Sequence, residues 1–163
     1  MTQNNLEQII TFVRSIGINV TFKELKEDTF LPGLLIEQGS IYIDPQNLKY
    51  PGDVLHEAGH IAIVPKADRA TLSGAELGLR KDSAAEEMMA IAWSYAACVH
   101  LNLDPYFVFH ESGYKGAGND IADQFNAGQY IGVPMLQWTG MTAYHDDKEH
   151  SGFPVMKKWM RDA

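Results

Sequence analysis

The chain reads as an α+β protein: one mostly helical domain carrying a small antiparallel sheet. Three observations predict this. Apolar residues recur at helical spacing in several separate segments, and one short region switches to a strand, turn, strand pattern. The 163 residues, 45% of them hydrophobic, suffice for one core and are short for two.

Taken in order, Leu6, Ile9, Ile10, Val13 and Ile16 lie at helical spacing and stop at Gly17, so residues 6–16 predict an amphipathic helix. Residues 34–37 and 41–44 predict two strands joined by a turn over Gln38-Gly39-Ser40. Pro51-Gly52-Asp53 opens a second helix, with Asp53 the expected N-cap, running to about Ile63 and stopping before Pro65. Residues 65–82 are expected as a loop. The longest helix is expected over 84–101, where Ala and Met abound and no Gly or Pro intervenes. Asp104-Pro105 starts a short helix through Phe109, residues 113–118 form a Gly-rich loop, and a further helix covers about 120–127. Residues 130–141, broken by Gly132, Pro134 and Gly140, read as irregular, and 153–160 as a small closing helix.

The formal net charge of −8 would repel a phosphate backbone, and the densest basic group is only Lys157, Lys158 and Arg161, so nucleic acid is not an expected partner. Nothing approaches the roughly 20-residue apolar span of a membrane helix, and the polar start lacks the pattern of a signal peptide. A lone Cys98 cannot form an intrachain disulfide and reads as a small buried residue. A cytoplasmic protein with no membrane partner is the expectation.

The chemistry concentrates in His56-Glu57-Ala58-Gly59-His60. One helical turn, about 6 Å along the axis, separates the two histidines, so both imidazoles can reach one ion. Glu57 sits about 100° further round, placed to act on a bound water as general base. Leu55, Ala58 and Ala62 form the opposite, inward face, and Gly59 keeps the surface beside the ion small. One zinc ion is the predicted cofactor, and a catalytic zinc needs a third protein ligand. The metzincin extension fails, since Ile63 and Lys66 stand where Gly and His are required. Peptide deformylases take a Cys upstream of the helix, whereas Cys98 lies downstream. A Glu on the long helix remains, and Glu86 and Glu87 are both candidates, although paired acids also suit the first turn of any helix.

With these residues the chain resembles the small gluzincin domain of the ImmA/IrrE family, many of whose members are cytoplasmic peptidases acting on regulators. The resemblance covers roughly residues 34–100: the strand ending in Ile41 to Asp44, the His56 to His60 helix, and Glu87-Met88-Met89-Ala90-Ile91-Ala92-Trp93-Ser94-Tyr95-Ala96-Ala97. The family's Ala five places after its Glu falls on Ala92, which selects Glu87 as the third ligand. The resemblance implies a minimal zincin core over 34–100 and a helical C-terminal extension over 101–163. That extension has no counterpart in the family, and the Leu-Leu-Met-Pro ending of the ligand helix is absent.

The expected activity is hydrolysis of peptide bonds, with a peptide or protein as partner. Ile41, Tyr42 and Ile43 are expected to bind the extended substrate as an edge strand, and Tyr114 or His110 to donate to the transition state. His145, Asp146, Asp147 and His150 resemble a second metal cluster but also suit a solvated loop, and His100 is a further isolated histidine. Tyr130 and Trp138 are expected in the core. A zinc-binding regulatory or scaffold domain without a substrate is the alternative, and a small-molecule amide hydrolase a weaker one.

Overall fold

The computed structural model describes residues 2–26 and 28–163. The first helix, α1 (Thr2–Ser15), buries Ile9, Ile10, Phe12 and Val13 and ends before Gly17. Three strands follow: β1 (Val20–Phe22), β2 (Leu34–Glu37) and β3 (Ser40–Ile43). The β2–β3 hairpin is antiparallel as expected, with Leu34 opposite Ile43 and Glu37 opposite Ser40. The sheet is nevertheless mixed, because β1 pairs in parallel with β3 and the strand order is β1-β3-β2. Three residues are too few to show an alternation, which is why β1 escapes a reading of periodicity.

This order overturns one expectation. Ile41, Tyr42 and Ile43 form the central strand, hydrogen-bonded on both sides, and Ile41 and Ile43 are fully buried. They have no free edge to offer a substrate strand and serve as core. The hairpin turns on Gln38 (φ 50°) and Gly39 (φ 71°), both in the left-handed region that a two-residue type I′ turn demands. Gly pays nothing for this conformation, whereas Gln does. Gln38→Asn is therefore expected to raise stability by about 0.5 kcal/mol, since Asn tolerates positive φ better. An unchanged thermal midpoint would show that the turn carries no such strain.

Helix α2 (Asp53–Ile63) is almost wholly buried, and Val64 leaves it in an extended conformation before Pro65. Its N-cap is Gly52, without a side-chain cap; Asp53 is the first helical residue and spends its carboxylate on His110 instead. The stretch expected as loop contains helix α3 (Lys66–Arg69) and a 3-10 turn, Gly74–Leu79. Helix α4 (Ser83–Leu101) packs along α2 and ends at Asn102, whose φ of 55° forms a left-handed cap. Ala90, Ala92, Trp93, Ala96 and Ala97 are fully buried there. A Cβ on Gly59 would lie 3.1 Å from the Ala90 carbonyl oxygen and 3.2 Å from Trp93, so Gly59 serves the close approach of α2 to α4 and not the surface beside the ion.

Helix α5 (Pro105–Val108) begins as expected, with Asp104 Oδ1 accepting from the Tyr106 N–H at 3.0 Å. Helices α6 (Gly118–Asn126) and α7 (Val133–Trp138) follow, the latter where irregular chain is expected, because Pro134 stands in its first turn, where no N–H is needed. Val108, Phe109, Phe125, Leu136 and Met141 join the same hydrophobic core as α2 and α4, so residues 102–163 complete that core. Residues 153–160 are not helical. Their backbone bonds go elsewhere: Lys157 N–H donates to the Met141 carbonyl at 2.8 Å, and Thr142 bridges Met156.

The tail then closes the far end of α2. Arg161 donates its N–H to the Ala62 carbonyl at 2.9 Å and Nη1 to that of Ile63 at 3.3 Å. Arg69 donates to the carbonyls of Ile61 (3.1 Å), Val64 (3.3 Å) and Arg161 (2.7 Å). Two guanidinium groups thus satisfy the last carbonyls of the helix and oppose the negative end of its dipole.

Candidate metal centre

On α2, Asp53, His56, Glu57 and His60 recur at i, i+3, i+4 and i+7, which places them on one face. The opposite residues Leu55, Ala58 and Ala62 are fully buried, as expected. His56 and His60 bring their Nε2 atoms to 3.1 Å with the rings at 81°. At the fifth position of α4, Glu87 places Oε2 2.9 Å from His60 Nε2 and Oε1 3.6 Å from His56 Nε2. Glu57 completes the group, since one ligand atom each from His56, Glu57 and His60 lies within 4.8 Å of the others. Four donors at about 2.1 Å around a tetrahedral ion stand about 3.4 Å apart. The three separations between the two imidazoles and Glu87 bracket that spacing, so these residues fit a metal ion.

Glu86 does not join them. A neighbouring helical position diverges by about 100°, and its carboxylate accepts from Arg80 Nε at 2.9 and 3.0 Å, while Arg80 Nη2 reaches Asp68 at 3.0 Å. Glu86 braces the approach to α4.

Burial and mutual charge set the protonation of the trio. Burial, reinforced by the charge of His60, pulls His56 down to about 3, so it is neutral and able to ligate. Burial also pushes His60 down, but the Glu87 hydrogen bond and the charges of Glu57, Glu87 and Glu86 outweigh it, and the net shift is upward. For Glu87, burial raises the carboxyl while the bond to His60 and both imidazoles lower it, and the lowering wins. The 2.9 Å contact between His60 Nε2 and Glu87 Oε2 thus favours the charged form of both groups. Glu57 is pushed up to about 7, by burial first, with His60 pulling down and Asp53 and Glu87 pushing further up.

Tyr114 and His110 are the two expected transition-state donors, and both are committed elsewhere. Tyr114 Oη lies 2.8 Å from His56 Nδ1, the ring nitrogen that faces away from the trio, with the rings at 75°. Burial raises the Tyr114 phenol well above its ordinary value, so it stays protonated. Tyr114 (φ 56°) and Lys115 (φ 57°) both hold left-handed backbone, at a cost of about 1–3 kcal/mol each. His110 Nε2 pairs with Asp53 Oδ1 at 2.7 Å, and its ring stacks on Tyr50 at 4.2 Å. Burial raises the Asp53 carboxyl, and His110 partly offsets this. Asp53, expected as a cap, instead belongs to this face, and its position four residues before Glu57 is the signal for it.

The remaining candidates have structural duties. Asp147 Oδ1 accepts from the N–H groups of Glu149 and His150, and Oδ2 meets His150 Nδ1 at 3.3 Å, which makes 146–150 a self-bonded loop. His100 packs on Phe12 and Trp159. Neither Tyr130 nor Trp138 is in the buried core: Tyr130 is 36% exposed and packs its ring against Tyr95, Phe125 and Phe153, and Trp138 is 78% exposed. Cys98 is fully buried, and burial pushes its thiol up to about 12, so it is inert as a nucleophile. Among the described residues no helix is long and apolar enough to cross a membrane. No protein-family model matches the chain, and neither the curated proteins nor the solved structures contain a match to it.

Proposed function

We propose that the protein is a zinc-dependent hydrolase, a metallopeptidase of the gluzincin type that cleaves peptide bonds. The observation that carries this reading is the convergence of His56 Nε2, His60 Nε2 and the Glu87 carboxylate at 2.9–3.6 Å, with the buried Glu57 carboxylate beside them. Two imidazoles and one carboxylate are a catalytic ligand set, three protein donors that leave a fourth position for water. A zinc ion held by His56, His60 and Glu87 would supply Lewis acidity and an activated water near neutral pH. Glu57 would serve as general base and then general acid beside the site; a carboxylate whose proton affinity is raised by burial suits both roles. Glu87 is the most accessible member of the group, its side chain 42% exposed. The likeness to the ImmA/IrrE peptidases rests on these residues and on Ala92, and under it the substrate is a protein in the cytoplasm.

A metal-bearing regulatory domain is the second reading, favoured by one observation: Glu57 itself lies within reach of both histidines. A coordinating Glu57 would close the site and leave no base. The first test is removal and return of the metal. The purified protein is expected to carry about one zinc per chain, to lose hydrolysis of unfolded protein substrates on chelation, and to regain it with one equivalent of zinc. Hydrolysis that survives complete stripping would sink the proposal.

A further inference from the structure

We propose that Tyr114 is a positioning residue for His56: its hydroxyl accepts the Nδ1–H of the imidazole and so fixes the tautomer and ring orientation that present Nε2 to the metal. The proposal rests on the metal reading above, and it departs from the transition-state role expected of this tyrosine.

The geometry assigns the two nitrogens of His56 to different tasks. Nε2 faces His60 at 3.1 Å and Glu87 at 3.6 Å, so it is the ligating atom. Ligation uses the Nε2 lone pair, which leaves the ring proton on Nδ1, and the partner at Nδ1 is Tyr114 Oη at 2.8 Å. A phenol oxygen can accept a hydrogen bond from that N–H.

The backbone is arranged to deliver this contact. Tyr114 and Lys115 hold positive φ without being glycine, and Lys115 interrupts the 3-10 turn Tyr114–Gly116. Such strain persists only where its surroundings over-determine it. Two ties to α2 do so. His110 is bonded to Asp53 at 2.7 Å and Tyr114 to His56, so the loop is fastened at positions three residues apart on the same helical face. Phe109 packs against the Tyr114 ring at 5.4 Å and supports it from the core side.

The test compares zinc affinity of the parent and Tyr114→Phe by competition with a chromophoric chelator at pH 7.4. Phe keeps the ring packing and removes only the hydroxyl. Affinity is expected to fall about 10–100-fold, with the thermal midpoint of the metal-free proteins changed by no more than a few degrees. Affinity within twofold of the parent would overturn the proposal, and a loss of hydrolysis at saturating zinc with unchanged affinity would return Tyr114 to the transition-state role. A second measurement needs no variant: nitrogen-15 spectra of the zinc-loaded parent are expected to show His56 protonated at Nδ1. Protonation at Nε2 would equally overturn the proposal. A parent that binds no zinc would instead sink the metal reading itself.

Discussion

Glu57→Gln is expected to lower peptide hydrolysis by about 10²–10⁴-fold, the contribution of a positioned general base, while the protein still binds one zinc per chain. Gln preserves the shape of the side chain and its place on the ligand face but cannot take a proton. The residue is 9% exposed and lies among Asp53, His60 and Glu87, whose charges act on it. Removing its charge also relieves a buried carboxylate, so the variant is expected to fold at least as well as the parent. Zinc content and turnover measured on the same preparation separate the two readings of the site. Lost turnover with retained zinc identifies the base. Lost zinc identifies Glu57 as a ligand and favours the closed regulatory site, and full turnover with full zinc would remove Glu57 from the chemistry altogether.

Trp93→Ala is expected to destabilise the fold by about 3–5 kcal/mol, a drop of about 8–15 °C in the thermal midpoint for a chain of this size. Trp93 is fully buried on α4, and its ring approaches within 3.2 Å the position a Cβ of Gly59 would occupy. It thus fills the seam between the helix that bears the histidines and the helix that bears Glu87. Phe12 at 6.1 Å and Trp159 at 5.6 Å pack around it, and its Nε1–H donates to the Trp159 carbonyl at 2.9 Å. Truncation removes this volume and leaves that carbonyl without its donor. Denaturant unfolding of the metal-free protein is the measurement, and a loss under 1 kcal/mol would mean that α2 and α4 collapse onto one another without cost.

What the sequence discloses of the site follows the range of the interactions. His56, Glu57 and His60 are legible because a single helix sets their geometry, and α2 and α4 lie within a residue of the expected bounds. Choosing Glu87 over Glu86 required the family resemblance, since the two carboxylates differ only in which way they face; the structure separates them through Arg80. Asp53 reads locally as a cap because an Asp after Gly has two uses, a cap or a side-chain partner, and the partner His110 lies 57 residues away. Long-range pairing explains the sheet as well. Nothing local announces that Val20 to Phe22 will lie beside β3, and that pairing turns a two-stranded antiparallel hairpin into a mixed sheet whose middle strand is the supposed substrate edge. The non-helical 153–160 segment is the same case, held by carbonyls of Met141 and its neighbours that no local pattern reveals.

The guanidinium closure of α2 has a consequence for how the site comes into being during synthesis. Ile63 and Arg161 are 98 residues apart in the chain. At the usual pace of translation, roughly 5–20 residues per second, the motif helix leaves the ribosome some 5–20 s before the side chain that closes its last turn exists. Through that interval the Ile63 carbonyl lacks its Arg161 donor, and Trp93 lacks its Trp159 partner. Short-range signals can start the histidine-bearing helix early, but its final form is a late event, reached only when residues 159–161 fold back on a part of the core made long before them.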